Sequence, residues 1–259
     1  MNGLAALGRI LFAIAILGLG VQNLLLKGVV TGVEVVPPWP PSHLVWTWIV
    51  GAVLILCGIC IALRRVAPAA ALLLAALFFN AAIVLDLPKV MAKISDLNER
   101  TRFFETLAFA AGALIIAGLV TRGTRTSGVW RTLQILALTG TWIFAICLAV
   151  FGISHFIVPG FIASLIPAWI PWHLFLAWFI GVAFVVAAVC LVIKLLARTA
   201  ACMLGIMFLI WVCVLHGPRI YAALHSVDEW NSGLVALGMA GCAFALCGST
   251  AVRKGISRF

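Results

Sequence analysis

Long apolar runs separated by short polar breaks dominate the chain. Eight of these runs each hold about 20 residues, which is enough for a helix to cross the hydrocarbon core of a bilayer. A single spanning segment satisfies its own backbone hydrogen bonds in that medium only as a helix. We therefore predict an all-α integral membrane protein with eight transmembrane helices. The predicted spans are 4–26, 44–63, 67–87, 103–121, 133–157, 173–193, 198–216 and 232–250.

The composition also indicates lipid as the medium. Of the 259 residues, 65% are hydrophobic and only 9% are charged, and the mean hydropathy is +1.25. A soluble domain carries about 25% charged residues, so these charges are too few to cover a water-facing surface. The formal net charge of +10 does not come from a basic stripe interleaved with polar residues, and we therefore predict no nucleic-acid partner. The first apolar run lacks a small-x-small cleavage site, so we read it as a retained span rather than a signal peptide.

The Lys and Arg residues are distributed unevenly between the two sides of the predicted bundle. Eight crossings return the chain to the side on which it starts, so both termini share one side. Eleven of the 17 basic residues fall there, which the positive-inside rule identifies as the cytoplasmic side. We therefore predict a multi-pass protein of the bacterial inner (plasma) membrane with both termini in the cytoplasm. The eleven residues are Arg9, Arg64, Arg65, Arg122, Arg125, Arg131, Lys194, Arg198, Arg253, Lys254 and Arg258.

All 7 acidic residues and all 5 histidines fall on the opposite side or in the outer half of the membrane. Topology alone explains the position of the carboxylates, but it does not explain the histidines, which are neutral at pH 7. Any chemistry beyond membrane residence is therefore predicted toward the outer face. The acids are Glu34, Asp86, Asp96, Glu99, Glu105, Asp228 and Glu229, and the histidines are His43, His155, His173, His216 and His225.

The chain shows internal similarity. The segment "VVPPWPPSH" (35–43) matches "LIPAWIPWH" (165–173) in two prolines flanking a tryptophan and in the final histidine, at an offset of 130 residues. Further pairs at this offset are Gly51 with Gly181, Cys60 with Cys190, Pro88 with Pro218, Glu99 with Glu229 and Gly118 with Gly248. Before the proline segment, Phe12, Ala13, Ile14 and Gly20 match Phe144, Ala145, Ile146 and Gly152 at an offset of 132.

These matches predict two four-helix bundle repeats, residues 1–126 and 127–259. Four is an even number of crossings, so the two repeats share one orientation and are parallel rather than inverted.

The proline-rich segment 158–172 joins two spans on the outer side. Each proline fixes φ and removes a backbone donor, which suits a connector between helices. The apolar residues between the prolines predict a loop that dips into the membrane interface, where Trp169 matches the headgroup preference of amphipathic rings. We expect a related lid in the first repeat, around Trp39.

Polar residues lie beneath the predicted lids. His155 and His216 in the second repeat correspond to Asn23 and Asp86 in the first, so both positions stay polar. Polar groups at membrane depth are costly unless they are paired or face water. A hydrogen-bonded network inside each bundle is one reading, and ligand, quinone or proton handling is the other.

The order "G-x-S-H-F, x-x-P, then P-x-W-x-P, then Gly in the next span" resembles the DoxX-like (DoxX/DoxD) family of four-span membrane proteins. The residues that carry this resemblance are Gly152, Ser154, His155, Phe156, Pro159, Pro167, Trp169, Pro171 and Gly181, with Pro218 and Tyr221 in "HGPRIYAAL". The second repeat carries the motif itself, whereas the first has Gln22 and Asn23 in place of Ser-His-Phe and joins the resemblance only through the repeat.

The family includes DoxD-type subunits of thiosulfate:quinone oxidoreductase, so the resemblance implies an accessory, quinone-interacting subunit in respiratory or redox-stress chemistry. It implies a quinone ligand and a redox partner protein rather than a stand-alone enzyme, and we assign no catalytic residue. The candidate pocket residues are His155, Trp169, His173, His216, Arg219, Asn23 and Asp86, with His155 and Arg219 as hydrogen-bond donors and Trp169 as a stacking surface.

Cys57 and Cys60 form a CxxC pair, but they lie deep in an apolar span without a neighbouring positive group, which favours packing over redox exchange. The histidines show no His-x-x-His spacing, so we predict no metal site and no haem. Glu105 is expected to pair with Arg100 or Arg102.

The alternative function is a small-solute or proton-coupled transporter, since transporters place polar residues between repeats within the membrane.

The predicted topology is testable with reporter fusions. A reporter that is active only in the periplasm, fused after residue 96 or after residue 165, should be active, because both positions follow an odd number of crossings. The same reporter fused after residue 125 or at the C-terminus should be inactive, and an odd total number of crossings would contradict the eight-span topology.

Overall fold

The computed structural model describes residues 3–25, 43–64, 66–120 and 128–249, and these ranges are helical apart from short turns. The helices are α1 (Gly3–Leu25), α2 (His43–Leu63), α3 (Ala67–Ala81), α4 (Leu87–Ala92), α5 (Leu97–Val120), α6 (Gly128–Ile157), α7 (Pro159–Leu165), α8 (His173–Ile193), α9 (Ala197–Trp211), α10 (Gly217–Ala222) and α11 (Val227–Gly248). Two π-helical turns, π1 (Ala82–Asp86) and π2 (Val212–His216), join α3 to α4 and α9 to α10.

The eight predicted spans are confirmed by the length and composition of the helices. Three of them, α5, α6 and α11, begin at least five residues earlier than hydropathy predicted. In α5 and α11 a capping side chain holds the polar first turn. The Asp96 carboxylate accepts the backbone N–H of Asn98 at 2.9 Å at the start of α5. Ser226 caps α11, and its hydroxyl accepts the Glu229 N–H at 3.4 Å. Each cap satisfies backbone donors that a helix terminus otherwise leaves unpaired.

Two spans continue through a proline by means of a π turn. Pro88 and Pro218 lack the N–H that an α-helix needs, and their rings crowd the preceding turn. In each span the residue before the proline instead donates five residues back, from Leu87 to Ala82 and from Gly217 to Val212. Such a widened turn accommodates the proline without ending the helix. The predicted ends at residues 87 and 216 were therefore too early, and these helices continue to residues 92 and 222.

The helices form a closed ring in which each half completes the other. We call residues 3–120 the first half and residues 128–249 the second half. Helix α1 packs against α2 and α11 and barely contacts α5, whereas α6 packs against α5 and α8. Helices α5 and α11 are the most buried spans, and they contact each other across the ring, where Gly112 packs directly on the Cys242 thiol. Neither half therefore closes on itself as a separate bundle.

Small residues allow helices of one half to pack closely against helices of the other half. A Cβ atom added to Gly8 in α1 would lie 2.6 Å from the carbonyl oxygen of Gly241 in α11. One added to Gly140 in α6 would lie 2.6 Å from the carbonyl oxygen of Ala111 in α5. The two contacts are related by the offsets of 132 and 130 that relate the two halves of the sequence. Close backbone approach through small residues is the main way in which helices associate in lipid.

A buried arginine links α1 to the C-terminal end of α2. The Arg9 guanidinium donates to the carbonyl oxygens of Ile61 and Ala62, in the last turn of α2. The final carbonyls of a helix have no partner within the helix, and basic side chains commonly satisfy them.

One end of the ring carries the candidate chemistry. Residues 158–172, which we call the lid segment, lie at the end where α6 ends and α8 begins, and we call this the lid end. The lid segment was predicted to be a loop, but its first part forms α7, because Pro159 occupies the first turn of a helix, where a missing N–H costs nothing. The predicted first lid, around Trp39, and the side chain of His43 lie outside the described residues.

Substitution of the packed glycines tests the packing of α1 on α11 and of α6 on α5. Gly8→Ala and Gly140→Ala should each lower the free energy of unfolding by about 1–3 kcal/mol, because the added methyl group meets backbone atoms that cannot move aside. Reversible unfolding in mixed detergent micelles measures this change. Gly3→Ala is the matched control in α1, since a Cβ there meets nothing within 4 Å. Equal tolerance of all three changes would contradict the packing.

Candidate functional site

A cavity of about 330 Å³ opens at the lid end of the second half. Its walls come from α5, α6, α7, α8, α9 with π2, and α11. Most of the lining is apolar and includes the rings of Phe151, Phe184, Phe208 and Trp211. The polar residues of the lining are Thr101, Glu105, Ser154, His155, His216 and Ser232. A concave apolar cavity with a few convergent polar groups is typical of a small-molecule site.

His155 lies in the last turns of α6 with its ring fixed in orientation. Its Nδ1 lies 2.8 Å from the carbonyl oxygen of Phe151. A carbonyl oxygen only accepts, so Nδ1 carries the hydrogen and donates it. The edge of the ring also packs against Phe184, with the ring centroids 5.4 Å apart. The imidazole is therefore held in place before any ligand arrives.

His216 enters the cavity from the end of π2. Its Nδ1 is buried and has no hydrogen-bond partner among the described residues. Next to it, Arg219 forms a bidentate ion pair with Glu229, in which both N···O distances are 2.8 Å. Both charged groups are close enough to act electrostatically on the imidazole. Arg219 thus braces α10 against α11 and does not line the cavity, although it was a candidate donor for a ligand.

Glu105 is a cavity residue that was expected from the sequence to form an ion pair and was not among the site candidates. It lies in the third turn of α5, and its side chain lines the cavity of the other half of the chain. The Arg102 guanidinium and the Asp86 carboxylate are both close enough to interact with it electrostatically. An acid within an apolar span is by default a candidate functional residue. That signal was present in the sequence, but the nearby arginines offered a simpler explanation.

The lid segment covers the cavity with apolar side chains. Phe161, Ile162, Leu165 and Ile166 line the cavity from the lid side. His173, at the start of α8, holds the second part of the segment in place, because its Nε2 lies 3.1 Å from the carbonyl oxygen of Pro167.

The predicted stacking tryptophan lies elsewhere. Trp169 is 70% exposed and does not line the cavity. Of the seven candidate residues, the structure therefore brings two, His155 and His216, to one cavity.

The corresponding helices of the first half hold packed aromatic rings. Phe78 and Phe109 are fully buried, with their ring centroids 5.5 Å apart. At offsets of 130, these positions become Phe208 and Met239 in the cavity wall. Asn23 and Asp86 are also buried, and the Asn23 side-chain amide donates to the Leu19 carbonyl oxygen at 2.9 Å. The two candidate residues of the first half therefore lie in packed structure.

The cysteines and the histidines do not form a metal-binding cluster in the described residues, where no three His, Cys, Asp or Glu side chains come together. Cys57 belongs to the hydrophobic core, with Cys60 one turn further along α2 at its edge.

Comparisons with models of protein families, with curated proteins and with solved structures found no match.

The hydrogen bond from His173 should control the mobility of the lid segment. In a His173→Phe variant, we expect backbone amides of residues 166–172 to exchange with deuterium about 2- to 10-fold faster, because one hydrogen bond contributes about 0.5–1.5 kcal/mol. Hydrogen-exchange mass spectrometry in detergent measures the rates. A His225→Phe variant is the control, because His225 is exposed at the same end. Unchanged exchange in residues 166–172 would show that this bond does not hold the lid segment.

Proposed function

We propose that the chain is an inner-membrane protein of DoxX-like type whose cavity binds a quinone, and that it acts as an accessory subunit in respiratory or redox-stress chemistry. In this proposal the chain is a tandem repeat of two four-helix units with both termini in the cytoplasm, and the cavity faces the periplasm. A redox partner protein carries the remaining chemistry.

The observation that carries the proposal is the cavity beneath the lid segment. Its volume of about 330 Å³ suits a ligand with a single substituted ring. The rings of Phe151, Phe184 and Phe208 supply an apolar wall for that ligand, and His155 and His216 supply polar contacts at its edge. A quinone needs this combination, since its ring is apolar and its two oxygens are polar.

The lid segment supports entry from the membrane. Phe161 and Leu165 line the cavity and are also 54% and 37% exposed. Their side chains thus connect the cavity to the surroundings of the helix ring, which for these spans is lipid. A lipid-soluble quinone could reach His155 by displacing apolar side chains only, without crossing water.

The contrast between the two halves supports a division of roles within the proposed repeat. Glycine contacts, π turns and helix bounds recur at the same offsets in both halves. Only the second half carries the Ser154-His155-Phe156 motif, and Ser154 and His155 of this motif line the cavity. In this proposal the first half completes the scaffold and contributes α5 to the cavity wall, and the second half supplies the rest of the ligand site.

One observation favours the alternative, a proton-coupled transporter. Glu105 places a carboxyl group in the cavity within a membrane span, and intramembrane carboxylates commonly carry protons in transporters. Substrate-dependent proton uptake by proteoliposomes that contain the purified protein would support transport over an accessory role.

Quinone binding is testable with the purified protein. A short-chain ubiquinone, in its oxidised or its reduced form, should raise the melting temperature in a concentration-dependent manner, because a ligand that binds only the folded state stabilises it. His155→Ala should weaken the apparent affinity about 3- to 10-fold, since it removes an aromatic part of the cavity wall.

His225→Ala provides the matched control, because His225 is an exposed histidine at the same end and does not line the cavity. It should bind quinone like the unmodified protein. If neither the quinone nor its hydroquinone shifts the melting temperature, or if both variants lose affinity equally, the cavity is not a quinone site.

A further inference from the structure

Several polar groups that line the cavity offer a ligand hydrogen-bond acceptors rather than donors. Ser154 is the first of them. Its hydroxyl group donates to the carbonyl oxygen of Val150, one turn earlier in α6, at 2.9 Å. A hydroxyl group has one hydrogen and two lone pairs. With its hydrogen committed to the backbone, the Ser154 oxygen offers a cavity ligand only an acceptor.

His155 offers an acceptor for the same reason. Its Nδ1–H donates to the carbonyl oxygen of Phe151, so in the neutral imidazole Nε2 carries the lone pair. Because Nδ1 faces the backbone of α6, Nε2 is the ring nitrogen left for a ligand. Two adjacent residues of α6 thus present acceptors to the cavity, and both owe this to backbone carbonyls of their own helix.

Glu105 adds acceptor capacity from α5. An ionised carboxylate only accepts hydrogen bonds, and a protonated carboxyl group keeps acceptor capacity beside its one donor. The other polar residues of the lining do not discriminate. The hydroxyl groups of Thr101 and Ser232 rotate to donate or accept, and His216 can present either kind of nitrogen.

A quinone and its hydroquinone differ in whether they can donate hydrogen bonds to these acceptors. The carbonyl oxygens of a quinone only accept hydrogen bonds, whereas each hydroxyl group of a hydroquinone can donate. A quinone oxygen placed against Ser154, Nε2 of His155 or the ionised Glu105 carboxylate would leave an acceptor facing an acceptor, and a buried polar group without a partner is costly. A ring hydroxyl group in the same place would donate to one of them.

We propose that the cavity selects the hydroquinone form over the quinone form of its ligand, and more generally selects rings that carry a hydroxyl donor. This inference rests on the proposed function and narrows it to one member of the redox pair. It concerns binding alone and requires no electron transfer by this chain.

A pair of ring-methylated probes tests the selection. Tetramethylhydroquinone and tetramethylbenzoquinone have the same ring and nearly the same volume, and the methyl groups block addition of the eight free cysteines to the ring. Under anaerobic conditions, the hydroquinone should bind roughly tenfold or more tightly than the quinone, as measured by titration calorimetry of the purified protein. The dimethyl ether of the same hydroquinone, which has no hydroxyl donor, should bind as weakly as the quinone.

Two variants assign the selection to named groups. Glu105→Gln replaces a carboxyl group by an amide that can always donate, so it should weaken hydroquinone binding and improve quinone binding. Ser154→Ala removes one acceptor with little change in volume, and it should weaken hydroquinone binding roughly 2- to 10-fold while leaving quinone binding unchanged. Asp228→Asn is the control for the lost charge, because Asp228 is exposed at the same end and does not line the cavity.

The outcomes separate this inference from the proposed function. Tighter binding of the quinone, or equal binding of both probes, would overturn the selection and leave the quinone-binding cavity in place. Binding of neither probe would overturn both. Tighter binding of the hydroquinone that is unaffected by Glu105→Gln and Ser154→Ala would also overturn the inference, because the selecting groups would lie elsewhere.

Discussion

Close backbone contact between helices is the constraint on which the rest of this structure depends. Lipid tails are as apolar as leucine side chains, so burial of apolar surface gives little drive for helices to associate within a bilayer. Packing at short range must supply that drive, and it needs residues without bulk. The contacts of Gly8 with Gly241 and of Gly140 with Ala111 meet this need and join the two halves. The direct contact of Gly112 with Cys242 then places α5 and α11 together at the centre.

The packing of helices of one half against helices of the other half has a direct consequence for the cavity. Because α5 packs against α6 and not within a closed bundle of its own half, its polar face borders the second half. Glu105 therefore joins His155 and His216 in one lining, although it lies 50 residues before His155 in the chain. The π turn that ends in His216 contributes as well, since it carries the helix past Pro218 without a break and places the imidazole at the cavity. The cavity is thus a product of both halves.

The two halves have similar helix bounds, but the side chains in their interiors differ. Phe109 fills the interior of the first half, where the second half has the narrower and more flexible Met239. Such differences in side-chain volume decide whether equivalent helices enclose packed structure or a cavity. The polar residues differ too, since the amide of Asn23 is bonded to its own helix in packed structure and His155 borders open space. Similar helix bounds in the two halves therefore do not imply two equal sites.

The sequence by itself determined the eight helices, since length and hydropathy predict spans wherever lipid forbids other backbone structure. It also determined that the described acids and histidines collect at one end, because an even or odd number of crossings decides the side of each residue. It singled out His155 and His216 through their equivalence to Asn23 and Asp86. Only the tertiary structure decided that Glu105 borders the cavity, that Trp169 does not, and that Arg219 is committed to Glu229. The physical reason is that periodicity reveals which face of a helix is buried but not which helix covers it, and a cavity is defined by neighbours from different parts of the chain.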